Sequence, residues 1–238
     1  MTVLPADIES AVVQAQASTR AALADGLTRI QVELGDAELK IQPVAEQFLT
    51  AFADYGDRLR VFFPDAGAAA LARRDWGETA FPVRGMSDRA AAIQPQEELF
   101  LFIEPSSVEV QELEQYCQEA GDRPVILLNP RLEDIATVGI GYAGRQLRER
   151  FLNQWQSVYY CRPFEGGAVF RAYPERWQVY LEQLMGDELI YEGDRRPAGE
   201  ELDRILLQAL GPAEGDTAPA RPTGLLAGMQ SFLKALSS

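Results

Sequence analysis

Residues 124–174 read PVILLNPRLEDIATVGIGYAGRQLRERFLNQWQSVYYCRPFEGGAVFRAYP, and this stretch decides the predicted fold. It opens with the apolar run of residues 125–128, which is typical of a strand buried on both faces. A glycine-spaced segment and a helix-like run over residues 145–153 follow. The stretch closes as a hairpin that turns on Gly166 and Gly167.

Two further apolar runs, at residues 59–63 and 99–103, each precede a helix-like segment. Asp65 is a suitable N-cap for one helix, and Ser106 with Glu109 forms a capping box for the other. Strands that lead through short turns into helices imply parallel strands with right-handed crossovers. The sequence therefore predicts an α/β domain with a layered, mostly parallel Rossmann-like sheet, helices on both faces and a C-terminal antiparallel hairpin.

The remaining elements complete this domain. Predicted helices cover residues 5–25, 43–55, 66–76, 107–120 and 197–210, and further strands cover residues 29–34, 156–161, 168–173 and 188–191. Residues 77–96 are expected to be irregular. We predict one α/β domain over residues 1–210, a linker over residues 211–222 and an amphipathic helix over residues 223–238.

The C-terminal helix carries an apolar stripe at helical spacing. The stripe comprises Leu225, Leu226, Met229, Phe232, Leu233 and Leu236. It either folds back onto the domain or docks on a partner or a membrane surface. Because Lys234 is its single lysine, attraction to anionic lipid is weak, and a protein groove is the favoured docking site.

Composition limits the possible functions. The net charge of −14 argues against a broad nucleic-acid-binding face, and histidine, the commonest general base, is absent. Two cysteines do not make a disulfide framework, which favours a reducing compartment. No run is long enough to cross a membrane, and the first residues do not have the pattern of a secretory signal.

The charge is unevenly distributed along the chain. Residues 129–176 hold seven arginines and five acids, a net +2, which leaves −16 for the remainder of the −14 total. Two explanations of this local positive charge remain open. The arginines either lie on solvated faces and in local ion pairs, or they face an anionic ligand or an acidic partner.

Ligands of parallel sheets bind at the carboxyl ends of the strands, which here carry Asp65, Glu104, Asn129 and Arg131. Two carboxylates could perform acid–base chemistry or hold magnesium, but helix capping explains them better. We predict no catalytic residue, no metal site and no cofactor. The candidate ligand- or partner-binding residues are Asn129, Arg131, Gly139, Gly141, Gly144, Arg145 and Arg148.

The three glycines of this set have the spacing of a dinucleotide-binding fingerprint. Such a fingerprint follows a strand directly and has an acid about 20 residues later. Here ten residues separate the strand from Gly139, and Arg162 stands at the ribose position. The glycines are better explained by a tight entry turn and close packing of the following helix.

Four phrases support a family resemblance: DGLTRIQVE (residues 25–33), VFFPDAG (61–67), LLNPRLED (127–134) and GIGYAGR (139–145). Together they resemble the domain of unknown function found in cyanobacteria and plastids that includes the low-photosystem-II-accumulation proteins. The resemblance implies an auxiliary factor in assembly or maintenance of photosystem II. Its implied partners are photosystem II subunits or the membrane-insertion machinery, and its implied location is the cytosol or stroma, peripheral to the thylakoid membrane. It transfers no catalytic residue.

Two hypotheses remain. The first is a non-catalytic interaction protein whose arginine-bearing segment and C-terminal helix contact partners. The second is a protein or enzyme that binds a nucleotide or phosphate ligand in the strand-end cleft through Asn129, Arg131 and Arg145.

Overall fold

The computed structural model describes residues 3–35, 39–88, 92–132, 142–184 and 186–210. The helices are α1 (Ile8–Ala24), α2 (Ile41–Leu49), α3 (Ala66–Trp76), α4 (Val110–Ala120), α5 (Tyr142–Arg150) and α6 (Glu200–Leu210). The strands are β1 (Arg29–Leu34), β2 (Leu59–Phe63), β3 (Val83–Gly85), β4 (Leu99–Ile103), β5 (Val125–Leu128), β6 (Gln156–Phe164), β7 (Gly167–Ala172), β8 (Trp177–Gln183) and β9 (Gly186–Gly193). Short 3-10 helices cover Thr50–Arg58 and Leu152–Gln154.

The chain divides into two compact units. The first unit runs to residue 160 and includes residues 172–174, so it holds α1 to α5, β1 to β5 and the start of β6. The second unit comprises residues 161–171 and the residues from 175 onward. The single domain predicted over residues 1–210 stays a prediction, and the predicted linker and C-terminal helix lie outside the described residues.

The first unit contains the predicted parallel sheet. Its strands are ordered β3-β2-β4-β5-β1, with β6 on the other side of β1. The neighbouring pairs β2–β3, β2–β4, β4–β5 and β1–β5 are all parallel. The three apolar runs therefore lie side by side and point the same way, as predicted.

Alternate residues of the three central strands face opposite sides of this sheet, and both sides are buried. Phe62, Phe102 and Leu127 share one side, where they pack with residues of α4 and α5. The rings of Phe62 and Phe102 stack at 4.5 Å between centroids. The alternate residues Val61 and Leu101 are also buried, as expected for a sheet with helices on both faces.

Some helices differ from their predicted bounds. The helix predicted over residues 43–55 ends as an α-helix at Leu49 and continues as the 3-10 helix Thr50–Arg58. The helix predicted from residue 107 begins at Val110. Ser106, four residues before this start, forms a parallel bridge with Arg131 instead of entering the helix.

The second unit contains an antiparallel sheet in which β7 pairs with β8 and β8 pairs with β9. The predicted hairpin turn shifts by one residue: Gly166, with a φ of 83°, lies in the turn, whereas Gly167 begins β7. A Cβ at Gly167 would lie 2.2 Å from the carbonyl oxygen of Tyr180 on the neighbouring strand. Close strand approach explains this second glycine.

The amino edge of the parallel sheet is held by arginine side chains. Arg29 donates hydrogen bonds to the carbonyl oxygens of Thr28, Cys117, Gly121 and Arg123. Arg123 donates to those of Gln94, Glu97, Glu119 and Ala120. Its guanidinium carbon also lies 5.0 Å from the centroid of the Phe100 ring. Several acceptors belong to the last turn of α4, where carbonyl groups lack partners within the helix.

A buried ion pair lies at the same edge. Arg60 of β2 pairs with Glu97, and their side chains are only 6% and 1% exposed. The second carboxylate oxygen of Glu97 accepts the backbone N–H of Gln94 at 2.8 Å, and Arg60 donates to the carbonyl of Ala92 at 3.1 Å. The additional bonds compensate the desolvation of both charges.

Candidate functional site

The carboxyl edge of the parallel sheet gathers the predicted strand-end residues. Strands β2, β4 and β5 end there, and Asp65, Glu104 and Asn129 follow them. Glu104 and Asn129 come directly after neighbouring strands, and each precedes a proline. Both adopt left-handed backbone conformations, with φ values of 48° and 50°. Non-glycine residues adopt this conformation only where the surroundings enforce it.

For Asn129, the enforcing contacts are to β1. Its Oδ1 accepts the backbone N–H of Leu34 at 2.6 Å, and its Nδ2 donates to the Leu34 carbonyl at 3.0 Å. Its backbone N–H donates to the carbonyl of Val32 at 2.8 Å. Asn129 thus extends the β1–β5 ladder through its side chain, and its amide serves the fold.

Arg131 has a different environment. Its guanidinium donates to Glu104 Oε1 at 2.9 Å, and the two side chains are 75% and 27% exposed. Of the residues that the structure describes, Glu104 is the single acceptor for this guanidinium. Its remaining N–H groups have no acceptor among those residues and can donate to solvent or to a ligand.

The two chain segments that carry Glu104 and Arg131 form one structure, here named the lip (residues 104–109 and 129–131). Every peptide N–H of the lip is hydrogen-bonded within the protein. The acceptors are Leu128 O for Glu104, Glu109 Oε2 for Ser106, Arg131 O for Ser107, Ser106 Oγ for Val108, Ser106 O for Glu109, Val32 O for Asn129 and Pro105 O for Arg131. Pro105 and Pro130 have no N–H.

Ser106 and Glu109, the two residues of the predicted capping box, bond to each other within the lip, but α4 begins only at Val110, and its N-cap, Glu109, has no side-chain cap. The Glu109 carboxylate accepts from both the backbone N–H of Ser106, at 2.9 Å, and its hydroxyl, at 2.6 Å. Val108, between them, is 77% exposed. The sequence analysis did not identify Val108, because the capping pattern of Ser106 and Glu109 accounts for this segment without assigning a role to Val108. A lone apolar residue between two capping residues is the signal that could have found it.

Asp65 has the capping role that the sequence predicted. Its Oδ1 accepts the backbone N–H of Ala68 at 2.9 Å at the start of α3. Gly85 packs against this turn, and a Cβ there would lie 2.6 Å from the backbone nitrogen of Ala66. The Asp88 carboxylate accepts the Gly85 N–H at 3.0 Å. Two carboxylates bound to backbone N–H groups disfavour an anion at this end of β2 and β3.

The predicted basic segment lies on α5, which begins at Tyr142 rather than at residue 145. Gly144 is buried within the helix, Arg145 is exposed and Arg148 is half-buried. Arg150 forms a bidentate pair with Glu114 of α4, with N–O distances of 2.8 and 2.9 Å. Gly139 and Gly141 lie outside the described residues, as do all six residues of the apolar stripe.

The two thiols are in environments that suppress their ionisation. Burial raises the pKa of Cys117 to about 12 and that of Cys161 to about 11. A thiolate, the reactive form, is therefore scarce at neutral pH.

The described part of the chain contains neither a metal-binding cluster nor a membrane-spanning helix. Within residues 3–35, 39–88, 92–132, 142–184 and 186–210, no group of three or more Cys, Asp or Glu residues is arranged to hold a metal ion. Over the same ranges, no helix combines the length and apolar character that crossing a bilayer requires.

In a comparison with protein families, residues 5–204 match a domain of unknown function. The matched region includes every helix and strand from α1 to β9 and the first turn of α6. It also contains both segments of the lip. The match covers most of the 238-residue chain. The chain therefore belongs to the DUF1995 family, whose defining domain has no assigned function.

Proposed function

We propose that this protein is a non-catalytic interaction protein, an auxiliary factor in assembly or maintenance of photosystem II. Membership of the DUF1995 family and the four phrases that resemble the low-photosystem-II-accumulation proteins support the proposal. The proposed partners are photosystem II subunits or the membrane-insertion machinery. The proposed location is the cyanobacterial cytosol or the plastid stroma, with peripheral association to the thylakoid membrane.

One observation carries the choice of an interaction protein over a phosphate- or nucleotide-binding one. Phosphate sites of parallel α/β sheets use free backbone N–H groups both in the turn after a strand and in the first turn of the next helix. The lip forms that turn, its N–H groups are all bonded within the protein, and the Asn129 amide is engaged by Leu34, so the turn contributes no donor to a phosphate site. What the lip presents outward is the side chains of Arg131 and Val108. Arginine is enriched at protein interfaces, and the exposed Val108 adds apolar surface to the lip.

The direct test is affinity isolation of the tagged chain from a cyanobacterial host, followed by mass spectrometry. We expect photosystem II subunits or insertion-machinery components to be enriched over an unrelated tagged protein of similar charge. Enrichment of metabolic enzymes alone, in repeated isolations at moderate salt, would refute the assembly role.

A second test concerns the apolar stripe. We expect the fraction of protein that sediments with membranes to fall when Leu226 and Leu233 are both replaced by glutamate. Replacement of Ser237 and Ser238 by glutamate adds the same charge outside the stripe and serves as the control. Equal membrane association of the two variants would contradict a docking role for the stripe.

The second candidate function is binding of a small anionic ligand at the carboxyl edge, and the exposed guanidinium of Arg131 favours it. This candidate predicts a rise in melting temperature with a nucleotide or a phosphorylated metabolite. Arg131→Ala would abolish that rise. A screen of such compounds without any shift would remove the support for this function.

A further inference from the structure

We propose that Arg131 is the contact through which this protein holds an acidic segment of its partner, and that Glu104 occupies the guanidinium until the partner carboxylate displaces it. The inference rests on the proposed function and names the chemistry of the partner: an extended peptide segment in which carboxylates alternate with apolar side chains.

The backbone of Arg131 is fixed although its side chain is exposed. Its N–H donates to the carbonyl of Pro105 at 2.8 Å, and its own carbonyl accepts the N–H of Ser107 at 3.0 Å. Both bonds belong to the parallel bridge between Ser106 and Arg131. A contact residue whose backbone is already ordered loses less conformational entropy on binding than one in a free loop. The lip therefore presents Arg131 in a prepared position.

The Arg131 guanidinium can bind a second carboxylate in addition to Glu104, or a partner carboxylate in place of Glu104. Its five N–H groups suit bidentate binding of a carboxylate, whereas the structure shows one bond, to Glu104 Oε1. An exposed ion pair of this kind contributes about 0–1 kcal/mol to stability. Exchange of Glu104 for a partner carboxylate therefore requires little free energy.

Val108 supplies the apolar part of the contact. It lies two residues beyond Ser106, the bridge partner of Arg131, and its side chain is 77% exposed. Side chains of an extended peptide alternate in direction, so a peptide that lies between Arg131 and Val108 can turn its carboxylates toward Arg131 and its apolar side chains toward Val108. The described lip thus fits a peptide better than a single ion.

Carboxylate is favoured over phosphate by the groups that surround Arg131. Phosphate binds where several peptide N–H groups converge, and those of the lip are all bonded within the protein. The carboxylates of Glu104 and Glu109 also lie in the lip, and they repel a dianion more strongly than a single carboxylate. The peptide and inorganic phosphate are separate arms of the test.

The full chain is titrated into a fluorescently labelled, capped heptapeptide in which glutamate alternates with valine. Binding is measured as the change in fluorescence anisotropy of the peptide. The matched probe replaces each glutamate by glutamine. We expect saturable binding of the acidic peptide in the high-micromolar to millimolar range, and at least tenfold weaker binding of the glutamine peptide. Inorganic phosphate at equal ionic strength should compete no better than chloride.

Three variants locate the contact. Arg131→Ala is expected to weaken peptide binding at least tenfold. Glu104→Gln is expected to tighten it severalfold, because the internal competitor is removed. Arg74→Ala is the matched control, since Arg74 is also exposed, at 70%, and also paired, to Asp75 at 2.7 Å; its effect should stay within twofold.

Three results would overturn the inference: equal effects of Arg131→Ala and Arg74→Ala, equal binding of the two peptides, or competition by phosphate at concentrations where chloride has no effect. The last result would assign an anion site instead. Failure here is distinguishable from failure of the proposed function. Photosystem II partners that co-isolate equally with wild type and Arg131→Ala would retain the function and reject the contact.

Discussion

The two edges of the parallel sheet use arginine in opposite ways. At the amino edge, Arg29 and Arg123 each donate to four backbone carbonyls, and Arg60 is buried against Glu97. At the carboxyl edge, Arg131 donates to one carboxylate and its side chain is 75% exposed. At the amino edge these three cations hold the fold, whereas at the carboxyl edge Arg131 remains exposed.

The comparison predicts its largest effect at Glu97. Glu97→Leu leaves the charge of Arg60 buried without its partner, and we expect a loss of about 3–5 kcal/mol in the free energy of unfolding. Urea denaturation measures it. The double variant Arg60→Leu/Glu97→Leu removes both charges and is expected to recover most of the loss. A single variant that loses less than about 1 kcal/mol would contradict a structural role for this pair.

The next effect concerns Arg29. Arg29→Ala removes donors from four carbonyls and the packing of the side-chain stem, so we expect a loss of about 2–4 kcal/mol by urea denaturation. Arg29→Lys keeps the charge but lacks the planar fork, and it should recover less than half of the loss. Full recovery by lysine would show that charge, rather than carbonyl bonding, matters at the amino edge.

At Asn129 the carboxyl edge also contributes to stability, but through an amide. Asn129→Ala removes two hydrogen bonds to Leu34 at a left-handed position, and we expect a loss of about 2–3 kcal/mol. Asn129→Gly loses the same bonds without the left-handed penalty, so it should be about 1 kcal/mol more stable than the alanine variant. Equal unfolding free energies for the two variants would show that the left-handed conformation of residue 129 does not contribute to the loss.

The pH dependence of stability tests the environment of Cys117, whose carbonyl accepts from Arg29. Burial raises the pKa of its thiol to about 12 from 9.0. A raised folded-state pKa contributes stability that is complete below the unfolded pKa, near 9, and is lost as pH rises toward 12. Between pH 9.5 and 10.5 we expect this thiol to lower the free energy of unfolding by about 1 kcal/mol. Cys117→Ala should show a correspondingly shallower decline, and identical slopes would contradict the assignment.

The smallest effect is expected at Arg131. Arg131→Ala breaks an exposed pair and should change the free energy of unfolding by less than about 1 kcal/mol, close to the effect of Arg74→Ala. The loss in the free energy of unfolding should therefore be clearly smaller for Arg131→Ala than for Arg29→Ala. If Arg131→Ala destabilised the protein as much as Arg29→Ala, arginine would contribute equally to stability at the two edges, contrary to the difference in their contacts.

The parallel core could be predicted from the sequence because its signals are local. Strands β2, β4 and β5 are short apolar runs with turn residues after them, and Asp65 stands where an N-cap is required. Burial, strand formation and capping are decided within a few residues of each position. The carboxyl-edge placement of Asn129 and Arg131 followed from the parallel strand direction.

The environments of the polar residues could not be predicted, because their partners are distant in sequence. Asn129 was predicted as a binding residue, but its partner Leu34 is 95 residues away. Arg60 stands in an apolar strand, and only the fold reveals that Glu97 accompanies it into the interior. The arginine count of the chain does not distinguish Arg29 from Arg131.

The position of β1 between β5 and β6 has a consequence for synthesis on the ribosome. Arg29 pairs with Val125, so 96 residues of chain separate the two partners. At about 5–20 residues per second, β1 leaves the exit tunnel roughly 5–20 s before its first neighbour, β5. During that interval both edges of β1 lack their native strand partners, and an unpaired strand edge can pair with other chains.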